Sequence, residues 1–263
     1  LKPLLTVAFL FISIFFALGQ WTEIAVIEKK CDKIVIDNLQ NTYAISGAEI
    51  YKYTRNGSFQ FRYSDLKLGA VDALDVSFPL RPLVIYADLN SAALLDNTLT
   101  NNRGVIHLLD YEIGLGTLGC SSIQNHYWFY DAMRFSLTRL DDRFARTAYT
   151  GNLAQLLNIE LRPTAMVEFA NKCYLNNPGT GILVFDIFGT YIKTIPITGI
   201  ADFQIFETQL AYFEDGKLKL YDTRTFITDV IDLPIGSLDA VIFDNRIAVR
   251  SATQIQILEI TSR

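Results

Sequence analysis

The stretch Asn171–Thr194, NKCYLNNPGTGILVFDIFGTYIKT, alternates short apolar runs with turn residues. Cys173-Tyr174-Leu175 reads as one strand, Ile182 to Phe185 as a second and Tyr191 to Ile195 as a third. Asn176 to Thr180 reads as a turn, in which Pro178 presets φ and Gly179 and Gly181 permit positive φ. Asp186 to Gly189 is a second, tighter turn. Strand, turn, strand, turn, strand is an antiparallel meander, and the question is whether it recurs.

It does. An apolar strand ending in an acidic or polar residue and running into a turn is found at Tyr51–Thr54, Leu94–Asp96, Leu137–Asp141, Leu183–Asp186, Leu218–Asp222 and Ile255–Glu259. The end positions 54, 96, 141, 186, 222 and 259 lie 36 to 45 residues apart. Periods near 40 residues with several short strands each are the mark of β-propeller blades. A partner strand precedes each copy (Asn41–Ile45, Leu83–Ala87, Tyr127–Tyr130, Lys172–Leu175, Gln209–Phe213, Arg246–Val249), and outer strands follow several, as at Phe59–Tyr63 and Thr228–Leu233. Asp215-Gly216 between two strands is a strong hairpin signal. The expected fold is all-β: one six-bladed propeller with four antiparallel strands per blade. The sixth copy has no outer strand of its own, and Glu23–Ile27 is an unassigned alternating stretch. Ring closure protects strand edges, so Glu23–Ile27 is expected to complete blade six.

Leu4 to Leu18 is an apolar run behind Lys2, too short for a spanning helix, and Ala17-Leu18-Gly19 suits a signal peptidase. Residues 1–19 are read as a signal peptide and residues 20–263 as the propeller domain, soluble in an extracytoplasmic compartment and not inserted in a membrane. A net charge of −5 and a pI near 5.1 argue against a nucleic-acid partner. Cys31, Cys120 and Cys173 are odd in number and far apart, so they form no disulfide framework or zinc site. His107 and His126 have no metal-ligand neighbours at helical or strand spacing, and no nucleophile elbow, P-loop or HExxH occurs. No catalytic residue, cofactor or metal site is therefore assigned. The acids Asp96, Asp141, Asp186, Asp222 and Glu259, one per blade, are expected to cap turn backbone.

What remains are surfaces. In HYWFYD, Tyr127 and Phe129 point one way and Trp128 and Tyr130 the other; either neighbouring blades bury both faces, or a ring reaches the rim to anchor a partner. Two connections are long, Leu109–Gly119 and Thr150–Pro163, and the second holds Leu153, Leu156 and Leu157 on one side of a possible short helix. Links between blades share a face with each blade's second-to-third-strand turn, so Asn177 and Pro178 should lie beside both. The partner-binding candidates are thus Tyr127, Trp128, Tyr130, Leu153, Leu156, Leu157, Asn177 and Pro178.

Three segments also carry a family resemblance: Asp37–Tyr43 leading to Ile50–Tyr53, FPLRPL at Phe78–Leu83 followed by Leu95–Leu99, and Gly179–Asp186 with Gly189-Thr190. In that order they resemble a family of secreted Bacteroidota proteins that includes the Plug subunit of the type IX secretion translocon. The resemblance implies a non-enzymatic periplasmic propeller that binds a large outer-membrane β-barrel translocon protein and its associated subunits, closing the barrel's periplasmic end. Two other readings stay open. One is a propeller hydrolase or lactonase with a channel metal held by Asp37, Asp72, Asp75 or Asp202, and the other a carbohydrate- or cell-wall-binding module using solvent-facing aromatic rings.

Overall fold

The computed structural model describes residues 20–261, so the expected signal segment lies outside the described residues. After β1 (Trp21–Ile27), blade one is β2 (Lys33–Ile36), β3 (Thr42–Ser46), β4 (Glu49–Tyr53) and β5 (Phe59–Ser64). Blade two is β6 (Ala73–Asp75), β7 (Leu83–Tyr86), β8 (Ser91–Leu94) and β9 (Val105–His107). Blade three is β10 (Gly116–Ser122), β11 (His126–Asp131), β12 (Ser136–Leu140) and β13 (Arg146–Tyr149). Blade four follows the one-turn helix α1 (Leu153–Leu157) with β14 (Ala165–Phe169), β15 (Lys172–Asn177), β16 (Gly181–Asp186) and β17 (Tyr191–Ile195). Blade five is β18 (Gln204–Phe206), β19 (Gln209–Glu214), β20 (Lys217–Asp222) and β21 (Thr228–Asp232). Blade six is β22 (Asp239–Phe243), β23 (Arg246–Arg250) and β24 (Ile255–Ile260), with β1 as its outer strand.

The six sheets of four antiparallel strands are the expected ring. Closure is as anticipated: β1 pairs antiparallel with β24, Ile27 opposite Ile255 and Val26 opposite Gln256. A strand from one end of the chain thereby covers the edge that the other end would leave open. Among the described residues no helix is long and apolar enough to cross a membrane.

The core lies between blades, because each blade buries both faces. Tyr127 and Phe129 pack into the cluster shared with blade two, while Trp128 and Tyr130 pack into the one shared with blade four. Period-two alternation thus serves two interfaces with one strand, each fully buried ring contributing about 1.5–3 kcal/mol. All three cysteines are buried thiols, Cys120 and Cys173 within the blade three–four cluster.

The turn acids behave as expected. Asp186 Oδ1 accepts the amides of Phe188 and Thr190, both at 2.9 Å, and Asp96, Asp141 and Asp222 cap their own turns in the same way. In blade one the Thr54 hydroxyl takes this role, accepting from Asn56 and Ser58. Glu259 differs: it accepts from the Asn245 side-chain amide at 2.9 Å. Asp215-Gly216 forms the hairpin with positive φ at both residues, 52° and 75°.

One boundary in the deciding stretch moves. Asn176 and Asn177 are not turn residues; they extend β15, fully buried, and the turn is Pro178–Thr180. Gly181 closes it at φ 113°, where a Cβ would lie 2.3 Å from the Ile195 carbonyl oxygen, so no side chain fits.

Candidate functional site: the linker face and the central channel

The connections between blades and the second-to-third-strand turns lie on one end of the ring, here the linker face. The remaining turns form the opposite, turn face. Two connections stand out on the linker face, residues 108–115 between blades two and three and residues 150–164 between blades three and four.

Polar side chains at or just past the linker-face end of the second strand in blades two, three and four fix these connections. In blade two Asn90, at φ 45°, donates to the carbonyls of Ile113 (2.9 Å) and Gly114 (3.2 Å) and accepts from the Gly116 amide (2.7 Å). In blade three the buried Asp131 accepts the amides of Gly114 (2.9 Å), Leu115 (3.1 Å) and Met133 (2.9 Å), and pairs with Arg134 Nη1 at 2.7 Å. Burial pushes the Asp131 carboxyl up, but those amides and the Arg134 guanidinium outweigh it and hold it below the usual carboxylate range. In blade four Asn177 accepts the Arg162 amide (2.7 Å) and donates to the Glu160 carbonyl (2.9 Å), while Asn176 reaches Thr164 Oγ1 and the Ile200 carbonyl, both at 2.8 Å. Asn90, Asp131 and Asn176 were not singled out from the sequence. Asp131 ends an apolar strand, the same signal that marks the turn acids, but it sits at the opposite end of its blade.

The anchored connections present apolar side chains to solvent. Leu89, Leu109, Met133 and Leu156 are 49%, 69%, 68% and 65% exposed, with Leu115 and Phe135 less so. The segments that carry them are tied to one another: a Cβ on Gly114 would meet Met133 Sδ, the Ala132 amide bonds the Leu115 carbonyl, and the Leu153 amide bonds the Phe135 carbonyl. The exposed apolar residues of the turn face, such as Leu39, Leu80, Phe188 and Phe226, sit on turns of four different blades.

Most of the sequence-derived candidates fall inside the molecule. Tyr127, Trp128 and Tyr130 are buried between blades, so the rim-anchor reading of HYWFYD gives way to the packing one. Leu153 is fully buried and Leu157 half-buried against the same cluster. Only Leu156 faces out, because a helix of one turn places residue 156 about 60° short of the next full turn above residue 153. Asn152 caps that helix by accepting the Gln155 amide at 3.0 Å, and Asn158 ends it at φ 52°. Asn177 is a buried clamp, and Pro178 is half-exposed on the linker face as expected.

The channel, about 770 Å³, is lined by β2, β6, β10, β14, β18 and β22. The inner strands present a free backbone edge there, and neighbouring side chains occupy it. Asp75 accepts the Ser121 amide (2.6 Å), Glu168 the Ile123 amide (3.0 Å) and Gln204 the Ile242 amide (2.7 Å). Glu168 also accepts from Trp128 Nε1 at 2.7 Å. Asp37 binds the amides of Leu39 and Asn41 and the Tyr43 hydroxyl, Asp72 the Ala87 amide, and Asp202 the Lys33 ammonium. The acids named for a channel metal are thus spread out and engaged, and among the described residues no three metal-ligating side chains converge. His107 is exposed on β9 beside Ser91 Oγ, and His126 Nδ1 lies 3.0 Å from the Gln124 carbonyl. Trp128 is fully buried, and the half-buried Trp21 donates its indole N–H to the Asp232 carbonyl at 2.7 Å.

No protein-family model and no curated protein matches the chain. Among solved structures it is similar to the WD40 domain of Neurospora crassa Pan2, at a TM-score of 0.61 and 7% identity over 92% of this chain and 96% of that one. It is also similar to BBS1N, solved in complex with ARL6DN (TM-score 0.56, 10% identity, 91% and 78% covered), and to streptogramin B lyase (0.54, 11% identity, 87% and 78% covered). Likeness at that identity speaks to architecture alone, and together with the ring of six sheets it makes this chain a six-bladed β-propeller.

Proposed function

We propose that this propeller is a non-enzymatic binding module that docks a protein partner on its linker face. The observation that carries the reading is the set of exposed apolar residues Leu89, Leu109, Met133 and Leu156 on that face, held on connections and turns that Asn90, Asp131 and Asn177 pin to the blades. A pre-ordered surface loses little entropy on binding, and exposed apolar clusters of this kind mark interaction sites. Of the channel acids, Asp37, Asp75 and Glu168 accept backbone amides and Asp202 pairs with Lys33.

The finer reading follows the resemblance of the sequence to the type IX Plug family. The partner is then a large outer-membrane β-barrel translocon protein, met in the periplasm, and the propeller closes its periplasmic end. A plug of this kind buries on the order of 1,200 Å² or more. The test is affinity purification of the tagged chain in mild detergent, with the triple variant Leu109→Asp, Met133→Asp, Leu156→Asp as its counterpart. The expected result is a co-purifying outer-membrane β-barrel protein, identified by mass spectrometry, that the triple variant loses at unchanged melting temperature. Retention of that barrel by the variant would move the interface off this face. Recovery of the propeller alone, where other envelope complexes survive, would remove the plug reading.

A further inference from the structure

The two mouths of the channel differ in charge and in lining. The lining carries six carboxylates against two cations, Lys33 and Arg250. Both cations stand at the linker-face mouth and already face an acid: Lys33 Nζ lies 2.7 Å from Asp202, and Arg250 Nε 3.8 Å from Asp239. At the turn-face mouth the lining has no lysine or arginine. The inner strands there end on or run into phenylalanines: β14 on Phe169, β18 on Phe206 and β22 on Phe243, with Phe78 three residues past β6. Phe78 is 41% exposed, the other three are half-buried, and all four line the channel.

Two carboxylates share that mouth. β10 is the edge strand of blade three, and its free edge faces the channel. Asp75, from blade two, accepts the Ser121 amide at 2.6 Å, and Glu168, from blade four, accepts the Ile123 amide at 3.0 Å. These amides are two residues apart on one edge, about 7 Å, so two blades each bring a negative charge to the same stretch of wall. Asp75 also binds the Ser77 amide and hydroxyl, and Glu168 the Trp128 indole. Those partners are neutral, and among the described residues neither carboxylate is in an ion pair. Arg139, whose charge acts on Glu168, is buried on Ser122 Oγ at 2.9 Å and is not part of the lining. Asp37, the third acid at this end, is buried in its own turn, where Lys52 offsets its charge.

Phenylalanine faces around two carboxylates without a cation of their own specify what would fill the mouth. We propose that the channel binds a small organic ammonium ion with an apolar arm. The ammonium sits at the turn-face mouth, between Asp75 and Glu168 and against the rings of Phe78 and Phe169. The arm runs inward along Val35, Met166 and Ile205, which line the channel between its mouths. Both the carboxylate attraction and the cation–π contact grow as the ion leaves water. An anion is repelled by the net charge of the lining, and a neutral chain gains the apolar contact alone. Two carboxylates set among phenylalanines give no oxygen shell for a bare metal ion. A volume of about 770 Å³ falls within the ordinary range for small-molecule sites, roughly 300–1,000 Å³.

The experiment is titration calorimetry of the purified chain with octyltrimethylammonium, beside octan-1-ol and octanoate, each at concentrations below micelle formation. Octyltrimethylammonium is expected to bind one per chain and at least about tenfold tighter than octanol, with octanoate weaker still. Asp75→Asn and Glu168→Gln keep a carbonyl acceptor for the β10 amides and remove the charge. Each should weaken the cation about three- to tenfold and leave octanol unmoved. Phe169→Leu keeps apolar contact and removes the ring, so it should cost the cation about two- to fivefold and octanol nothing. No binding of the cation, equal binding of octanol or octanoate, or unchanged cation affinity in both carboxamide variants would each overturn the proposal. Should both carboxamide variants fail to fold, the native-chain titrations and Phe169→Leu decide it, an unchanged preference for the cation over octanol in Phe169→Leu counting against. None of these measurements involves a protein partner, so the result is independent of the docking reading.

Discussion

Asp186 and Asp131 are both aspartates that end apolar strands, yet they do different work. Asp186 sits on the turn face and accepts amides two and four residues ahead of it, so its bonds close one turn of one blade. Asp131 sits on the linker face, binds the following turn through Met133, and also reaches Gly114 and Leu115 on a connection, 17 and 16 residues earlier in the chain. The first shapes a hairpin; the second fixes where the exposed apolar residues of the linker face stand. Sequence position relative to the strand is the same, and which end of the blade the residue occupies makes the difference.

Removing Asp131 is the sharpest way to break that comparison. Asp131→Ala leaves several buried donors and the Arg134 guanidinium without their acceptor, and should cost about 3 kcal/mol or more in urea unfolding. Amide exchange should accelerate at Gly114 and Leu115, far from the substitution in sequence; protection unchanged there would show that the connection is held by other contacts. Next comes Glu168, the channel residue that likewise spans blades. Glu168→Leu strands the Ile123 amide and the Trp128 indole, for an expected loss of about 2 kcal/mol and altered tryptophan fluorescence. The local acid should matter less. Asp186→Ala removes two turn caps and is expected to cost about 1 kcal/mol, with exchange changes confined to the turn through Thr190. A loss equal to that of Asp131→Ala would erase the distinction.

The smallest effect is a pH dependence. Asp222 is held at about 2, chiefly by the amides of Thr225 and Arg224, and Asp96, Asp141 and Asp131 are lowered as well. Their folded values lie below the unfolded one of about 4. The stabilisation is therefore complete above that value and lost as pH falls toward 2. The urea midpoint should decline over this window, and Asp222→Asn should flatten part of the slope. Asp239 runs the other way, since its raised folded value means a cost that appears as pH rises through it.

Sequence legibility follows the same division. The strands, the turn caps, the Asp215-Gly216 hairpin and even the closure by Glu23–Ile27 were readable, because each depends on alternation or on partners a few residues away. Closure was readable for a second reason: a ring of four-stranded blades leaves one strand missing and one strand spare, and they must meet. Leu153, Leu156 and Leu157 do not share one buried face because, at about 100° per residue, Leu156 falls about 60° to one side of Leu153 and turns out to solvent. Asn176-Asn177 looked like turn chemistry, which asparagine usually signals, but its amides were claimed by connections 12 to 24 residues away.

The sequence by itself determined the architecture: six blades, their strand order, and turns capped by strand-end acids, all of it encoded in periodicity and local hydrogen bonding. Only the tertiary structure decided which aromatic residues are buried, which linker leucines face solvent, and that Asp75 and Glu168 cap backbone of the neighbouring blade while Asp202 beside blade five pairs with Lys33 of blade one. Those outcomes depend on partners brought together from different blades, and a linear pattern carries no record of which blade face a given side chain will meet.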